Sequence, residues 1–178
     1  MTRKALLLLY LSTCLAIAGC SNRSIGKSID DKLLPGRISS KINQASADLK
    51  TNSNVVVVSY NGVILLAGQT PRADLKELAE RVTKSEPGVR RVHNELQLMP
   101  PSAVSGLARV NDATITSSIK TRLTADSKVP ARNIKVVTEN GVVFLMGLVS
   151  RQEANLATRI VQDVSGVQKI VRLFEYTN

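Results

Sequence analysis

A chain of 178 residues with no tryptophan and only 3% aromatic residues must build its core from aliphatic side chains. The formal charge of +10 is spread thinly: residues 30–99 carry ten Lys and Arg against eight acidic residues, and residues 112–178 carry nine against six. A mild, distributed basic excess suits an anionic surface, while the scarcity of aromatics for base stacking disfavours a nucleic-acid binder.

The chain opens on a basic pair, Arg3-Lys4, followed by an apolar run from Ala5 to Ala18. That run has the length of a signal-peptide core and is too short to span a bilayer comfortably. It ends Leu15-Ala16-Ile17-Ala18-Gly19-Cys20, which resembles the bacterial lipobox. The resemblance implies removal of residues 1–19, acylation of Cys20 with diacylglyceride and palmitate-type chains, and a tether over 20–29. Two or three acyl chains anchor durably where one binds reversibly. Ser21 in place of Asp implies, by analogy with enteric sorting, the periplasmic face of the outer membrane. Cys14 leaves with the signal, so no thiol remains to form a disulfide.

Ile38, Ile42, Ala45 and Leu49 recur at helical spacing, and Pro35-Gly36 places the expected helix start near Arg37. Val55–Gly68 then reads as a hairpin around Asn61-Gly62, because an Asn-Gly pair supplies the two positive φ angles of a type I′ turn. Thr70-Pro71 reads as a helix start, with Leu75, Leu78, Ala79 and Val82 as the buried stripe. Pro87-Gly88 ends that helix, and a third strand covers Val89–Leu98. Asp74, Glu77 and Glu80 alternate with basic residues and read as a salt-bridged face. His93, the only histidine, reads as a solvated strand residue.

Met99 to Gly106 carries two prolines and reads as part of a linker over 100–111. The same order then recurs. Asn111-Asp112 reads as the cap of a helix over 112–126, with Ile115, Ile119 and Leu123 inward. A second hairpin, Ile134–Val149, turns at Asn140-Gly141, 79 residues after the first. Ser150-Arg-Gln-Glu153 is a capping-box pattern, Ala154, Ala157, Val161 and Val164 form the next stripe, and Val167–Tyr176 is the last strand. Gly68 and Gly147 read as sites of close helix-on-strand packing.

The chain is therefore a tandem repeat, with modules over 30–99 and 112–178. Units this small sit near the lower limit for an independent core, so the copies are expected to pack on each other or to be held by something else. No spaced His/Cys cluster, phosphate-cradling glycine loop or nucleophile with a base is present, which disfavours an enzyme. No cofactor is implied.

Two copies of this order, with Asn111-Asp112, Thr138-Glu-Asn-Gly141, Val143-Phe-Leu-Met-Gly-Leu-Val149 and Val164-Ser-Gly-Val167, resemble the BON domain family. With a lipobox in front, the resemblance narrows to the dual-BON outer-membrane lipoproteins of proteobacteria. It implies an α+β fold: two modules, each α-β-β-α-β, with a three-stranded mixed sheet packed on two helices. It implies no enzyme activity, and it implies an anionic phospholipid membrane, phosphatidylglycerol-like, bound through the first helix of the second module. The residues placed there are Thr114, Ser117, Ser118, Lys120, Thr121 and Arg122, with Lys128 just beyond. It implies an aromatic residue near that helix start, where this chain has Thr114. Envelope integrity, envelope proteins at division sites and the outer-membrane assembly machinery follow from the same resemblance. The rival expectation is an interaction module for envelope proteins or peptidoglycan, with the acyl chains as its only membrane contact.

Overall fold

A computed structural model describes residues 25–99 and 106–177. Cys20 with its lipobox, and linker residues 100–105, lie outside the described residues. The first module runs α1 (Ile25–Ala45), α2 (Ala47–Thr51), β1 (Asn54–Tyr60), β2 (Val63–Thr70), α3 (Ala73–Lys84), β3 (Arg91–Asn94) and β4 (Gln97–Leu98). The second runs α4 (Gly106–Ala125), a 3-10 turn (Ala131–Asn133), β5 (Ile134–Glu139), β6 (Val142–Val149), α5 (Arg151–Gln162) and β7 (Lys169–Tyr176). In each, an antiparallel hairpin gains a parallel strand on the side of its second arm. The sheet orders are β1-β2-β3, with β4 also on β2, and β5-β6-β7. The parallel pairing follows from the crossover helix between second and third strands.

Both Asn-Gly pairs make the expected turn, with φ of 53° and 75° at Asn61-Gly62 and 51° and 73° at Asn140-Gly141. Each turn is clamped from the module's first helix. Asp112 accepts from the backbone N–H of Asn140 at 2.8 Å and of Gly141 at 2.9 Å. Asp31 accepts from the N–H of Asn61 at 2.6 Å, of Gly62 at 3.1 Å, and from Ser59 Oγ at 2.6 Å. These aspartates lie inside the helices, which begin earlier than expected. Helix α1 starts at Ile25 rather than Arg37 and runs through Pro35, taking in part of the expected tether. Proline costs a helix interior about 3 kcal/mol. Burial of Leu34 and Ile38, both 0% exposed, together with the Asp31 clamp, outweighs that. Helix α4 starts at Gly106, inside the expected linker, so Asp112 is an interior clamp and not a helix cap.

Three further expectations are corrected. Thr70 ends β2, fully buried, and α3 begins at Ala73 with Arg72 at its cap position. The third strand breaks at Glu95-Leu96 because Leu96, 1% exposed, turns into the core. Gly68 and Gly147 face backbone, not helices: a Cβ would strike the carbonyl of Asn54 and of Asn133 respectively. The capping box at Ser150 and Glu153 forms as expected.

Strand alternation sorts the core into three clusters. Ile64 and Leu66 face α1 and α3, and Val143 and Leu145 face α4 and α5. The alternate residues, Val63, Leu65 and Ala67 from β2 with Val142, Phe144 and Met146 from β6, pack together between the sheets. The two modules thus close sheet on sheet. Strands buried on both faces read as unbroken apolar runs, which is why Ile64–Ala67 and Val142–Met146 show no polar alternation. Each fully buried large side chain contributes about 1.5–3 kcal/mol. Polar contacts edge the seam: Arg90 Nη2 pairs with Glu175 Oε1 at 3.0 Å, Asn61 Nδ2 donates to Glu175 Oε2 at 3.1 Å, and Lys135 Nζ to the Ser59 carbonyl at 3.2 Å.

Candidate functional site: the outer face of α4

The charged groups of the first module are largely satisfied internally. On α3, Asp74 pairs with Arg72, Glu77 with Arg81 and Glu80 with Lys84. The Arg72 guanidinium holds Asp74 below the usual carboxylate range, and Lys84 and Asn94 do the same for Glu80. His93 is half-buried, not solvated, and burial pushes its imidazole down. Among the described residues no group of His, Cys, Asp or Glu is placed to hold a metal ion, and no helix is long and apolar enough to cross a membrane.

The outer face of α4 differs. Ile115, Ile119 and Leu123 fix its orientation by burying 98% or more of their surfaces. That turns Thr114, Ser117, Lys120, Thr121 and Arg122 to solvent, with Ser118 half-buried. A shallow groove of about 510 Å³ gathers Thr114, Ser117, Ser118, Thr121 and Arg122, joined by Asn111, Val164 and Ser165. Lys120 leans to the other side, and Lys128 lies exposed beyond the helix end.

Three threonine hydroxyls on this helix bond backward to its own carbonyls. Thr114 Oγ1 donates to Val110 O at 3.0 Å, Thr121 Oγ1 to Ser117 O at 3.0 Å, and Thr124 Oγ1 to Lys120 O at 2.8 Å. Their hydrogen-bonding capacity is largely spent inward, which leaves the methyl groups outward. Val110, 66% exposed, adds a larger apolar group one turn before Thr114. The only acid in α4 is the buried Asp112. The exposed face is therefore small-apolar at its centre and cationic at its flanks.

The repeat supplies a built-in comparison. Residue 122 corresponds to Lys41 on α1, and Val164 to Glu86. In the first module Glu86 is 6% exposed and pairs with Arg37 at 3.1 Å and Lys41 at 2.6 Å, engaging both cations and offsetting one of their two charges. In the second module Val164 fills that place as an apolar core residue, so Arg122 has no ion-pair partner among the described residues.

The sequence did not point to Arg109, Val110 or Glu139 as site residues. Arg109 and Val110 stood in the expected linker, and Glu139 was one of many charged strand residues. Only the early start of α4 brings them onto its flank.

Fold and surface together define a class: a duplicated α+β protein that joins two α-β-β-α-β modules through their sheets and keeps one uncompensated basic helix face. Residues 30–100 and 111–178 each match the BON domain. The chain belongs to the BON domain family and carries two copies. It is 36% identical over 154 residues to Outer membrane lipoprotein DolP of Haemophilus influenzae, covering 86% of this chain and 78% of that protein. It is equally similar, over the same shares, to the 21 kDa hemolysin of Actinobacillus pleuropneumoniae. Osmotically-inducible protein Y of Escherichia coli is 30% identical over 84% of this chain and 74% of its own length.

Proposed function

We propose that this protein is a non-catalytic envelope lipoprotein, held by acyl chains on Cys20 to the periplasmic face of the outer membrane. It binds anionic phospholipid through α4 and so supports envelope integrity. The observation that carries this reading is the asymmetry between modules: Glu86 engages both Arg37 and Lys41 on α1 and offsets one of their two charges, whereas Val164 leaves Arg122 on α4 with no such partner. The relative named as an outer-membrane lipoprotein supports the location. A cation near an anionic bilayer contributes about 1 kcal/mol, and the threonine methyls and Val110 can settle at the headgroup boundary without burying a bare hydroxyl.

The test is co-sedimentation of residues 21–178 with phosphatidylcholine vesicles, with and without phosphatidylglycerol. Binding that requires the anionic lipid, and falls at least about thirtyfold in Lys120→Glu/Arg122→Glu, is expected. Equal binding by the variant would contradict the role of α4. Incorporation of labelled palmitate, abolished by Cys20→Ser, tests the anchor.

A further inference from the structure

At the seam between modules lies a cleft of about 650 Å³ that neither module forms alone. Asn54 and Val56 on β1 give one wall, Thr138 and Glu139 on β5 another, and Arg109, Asp112, Thr116 and Lys120 on α4 the roof. Glu139 is the unusual group. It is partly buried, and among the described residues its carboxylate makes no hydrogen bond and no ion pair. Arg109 and Lys120 share the cleft and are likewise unpaired. Asp112 differs, since both its oxygens hold the Asn140-Gly141 turn. Thr116 and Thr138 bond to each other at 2.7 Å. The charged groups of the cleft without a direct partner are thus one carboxylate and two cations, which leave each other unpaired across a volume larger than a water.

We infer that this cleft binds an aminoalkyl phosphate, its primary ammonium on Glu139 and its phosphate on Arg109. The inference rests on the membrane reading of α4 for its natural source, an ethanolamine lipid headgroup. The cleft lies on the flank of the same helix, so a headgroup reaching it comes from a bilayer that α4 already touches. It requires a zwitterion, because a bare anion would leave Glu139 unpaired and a bare cation would leave Arg109 so. It requires N–H donors, because a carboxylate in partial burial recovers its lost hydration through charge-assisted bonds. Burial and the neighbouring Asp112 push the Glu139 carboxyl up to about 6, against the pull of Arg109. The charged groups lining the cleft with it are Asp112, Arg109 and Lys120 from α4; Lys135 lies four residues earlier on its own strand, and the β1 residues that line the cleft, Asn54 and Val56, do not titrate, the titratable Tyr60 standing at the far end of that strand. An ammonium bound there drives the proton off, so binding strengthens as pH rises through about 6.

The experiment is an NMR titration of the full-length chain in neutral detergent, read at the side-chain carboxyl of Glu139. Phosphoethanolamine is compared with phosphocholine, whose quaternary ammonium has no N–H. About tenfold tighter binding of phosphoethanolamine at pH 7.5, lost in Glu139→Gln and weakened at pH 5, is expected. Equal affinities, or no shift with either, would overturn the inference. A second arm places the protein in phosphatidylcholine nanodiscs with or without the ethanolamine lipid. A Glu139 shift with the lipid assigns the bilayer as source, and no shift there overturns the lipid assignment. The amide of Thr114, read with added phosphatidylglycerol, reports the membrane reading separately.

Discussion

The ammonium of Lys41 lies 2.6 Å from a carboxylate oxygen of Glu86, a side chain only 5% exposed at the foot of the first module. The same carboxylate takes Arg37 through its other oxygen at 3.1 Å. At the corresponding place in the second module stands Val164. Glu86→Gln keeps the shape and removes the charge, so Arg37 and Lys41 become available to an anionic surface. Its affinity for phosphatidylglycerol vesicles should rise about fivefold or more in co-sedimentation. An unchanged or lower affinity would show that α1 is turned away from the membrane.

The aspartate clamps make a stability prediction. Asp112→Ala strands the N–H groups of Asn140 and Gly141 and should cost about 2–3 kcal/mol in denaturant unfolding. Asp31→Ala strands three donors and should cost more. Equal stability to the parent in either case would mean that the turns hold without the helices.

The sheet-on-sheet seam should make the two modules unfold together. Phe144 is 2% exposed between the sheets, and Phe144→Ala should cost about 3–5 kcal/mol. Hydrogen exchange should quicken in β2 as well as in β6. Faster exchange confined to the second module would contradict a shared core.

Much of this was legible in the sequence. Asn61-Gly62 and Asn140-Gly141 announced both hairpins because so few dipeptides satisfy two positive φ angles. The stripes on α3 and α5 followed from spacing alone. The helix starts were not legible: Pro35 signals a stop locally, and only the long-range bonds from Asp31 show why α1 runs through it. Asp112 looked like a cap for the same reason, since its partners lie 28 and 29 residues away. Glu86 carries no signal in the sequence; that it pairs with both Arg37 and Lys41 depends on α1 crossing the end of α3.

Glu139 should make stability depend on pH. Its folded carboxyl titrates near 6 against an ordinary 4.5, so the folded state holds its proton more tightly than the unfolded chain. Stability is then fully present below about 4.5 and is lost as pH rises through about 6. Solvent screening of the partly exposed group holds the effect to about 1 kcal/mol. Glu139→Gln should be more stable than the parent by that amount at pH 7.5 and equal to it at pH 4.5. Guanidinium unfolding at both pH values checks it, and a deficit at pH 7.5 would contradict it.

Thr114 and Leu33 occupy matching positions on α4 and α1, and Leu33, 56% exposed, is the more apolar of the two. Hydrophobicity alone would therefore send α1 into a bilayer, whereas uncompensated charge would send α4. Residues 21–178 contain no native cysteine. A single spin label at Thr114→Cys or at Leu33→Cys, with phosphatidylglycerol vesicles, reports which face enters the lipid through collision with oxygen. Immersion at 114 with an aqueous label at 33 is the expected result; immersion at 33 with an aqueous label at 114 would contradict α4 as the membrane-binding face.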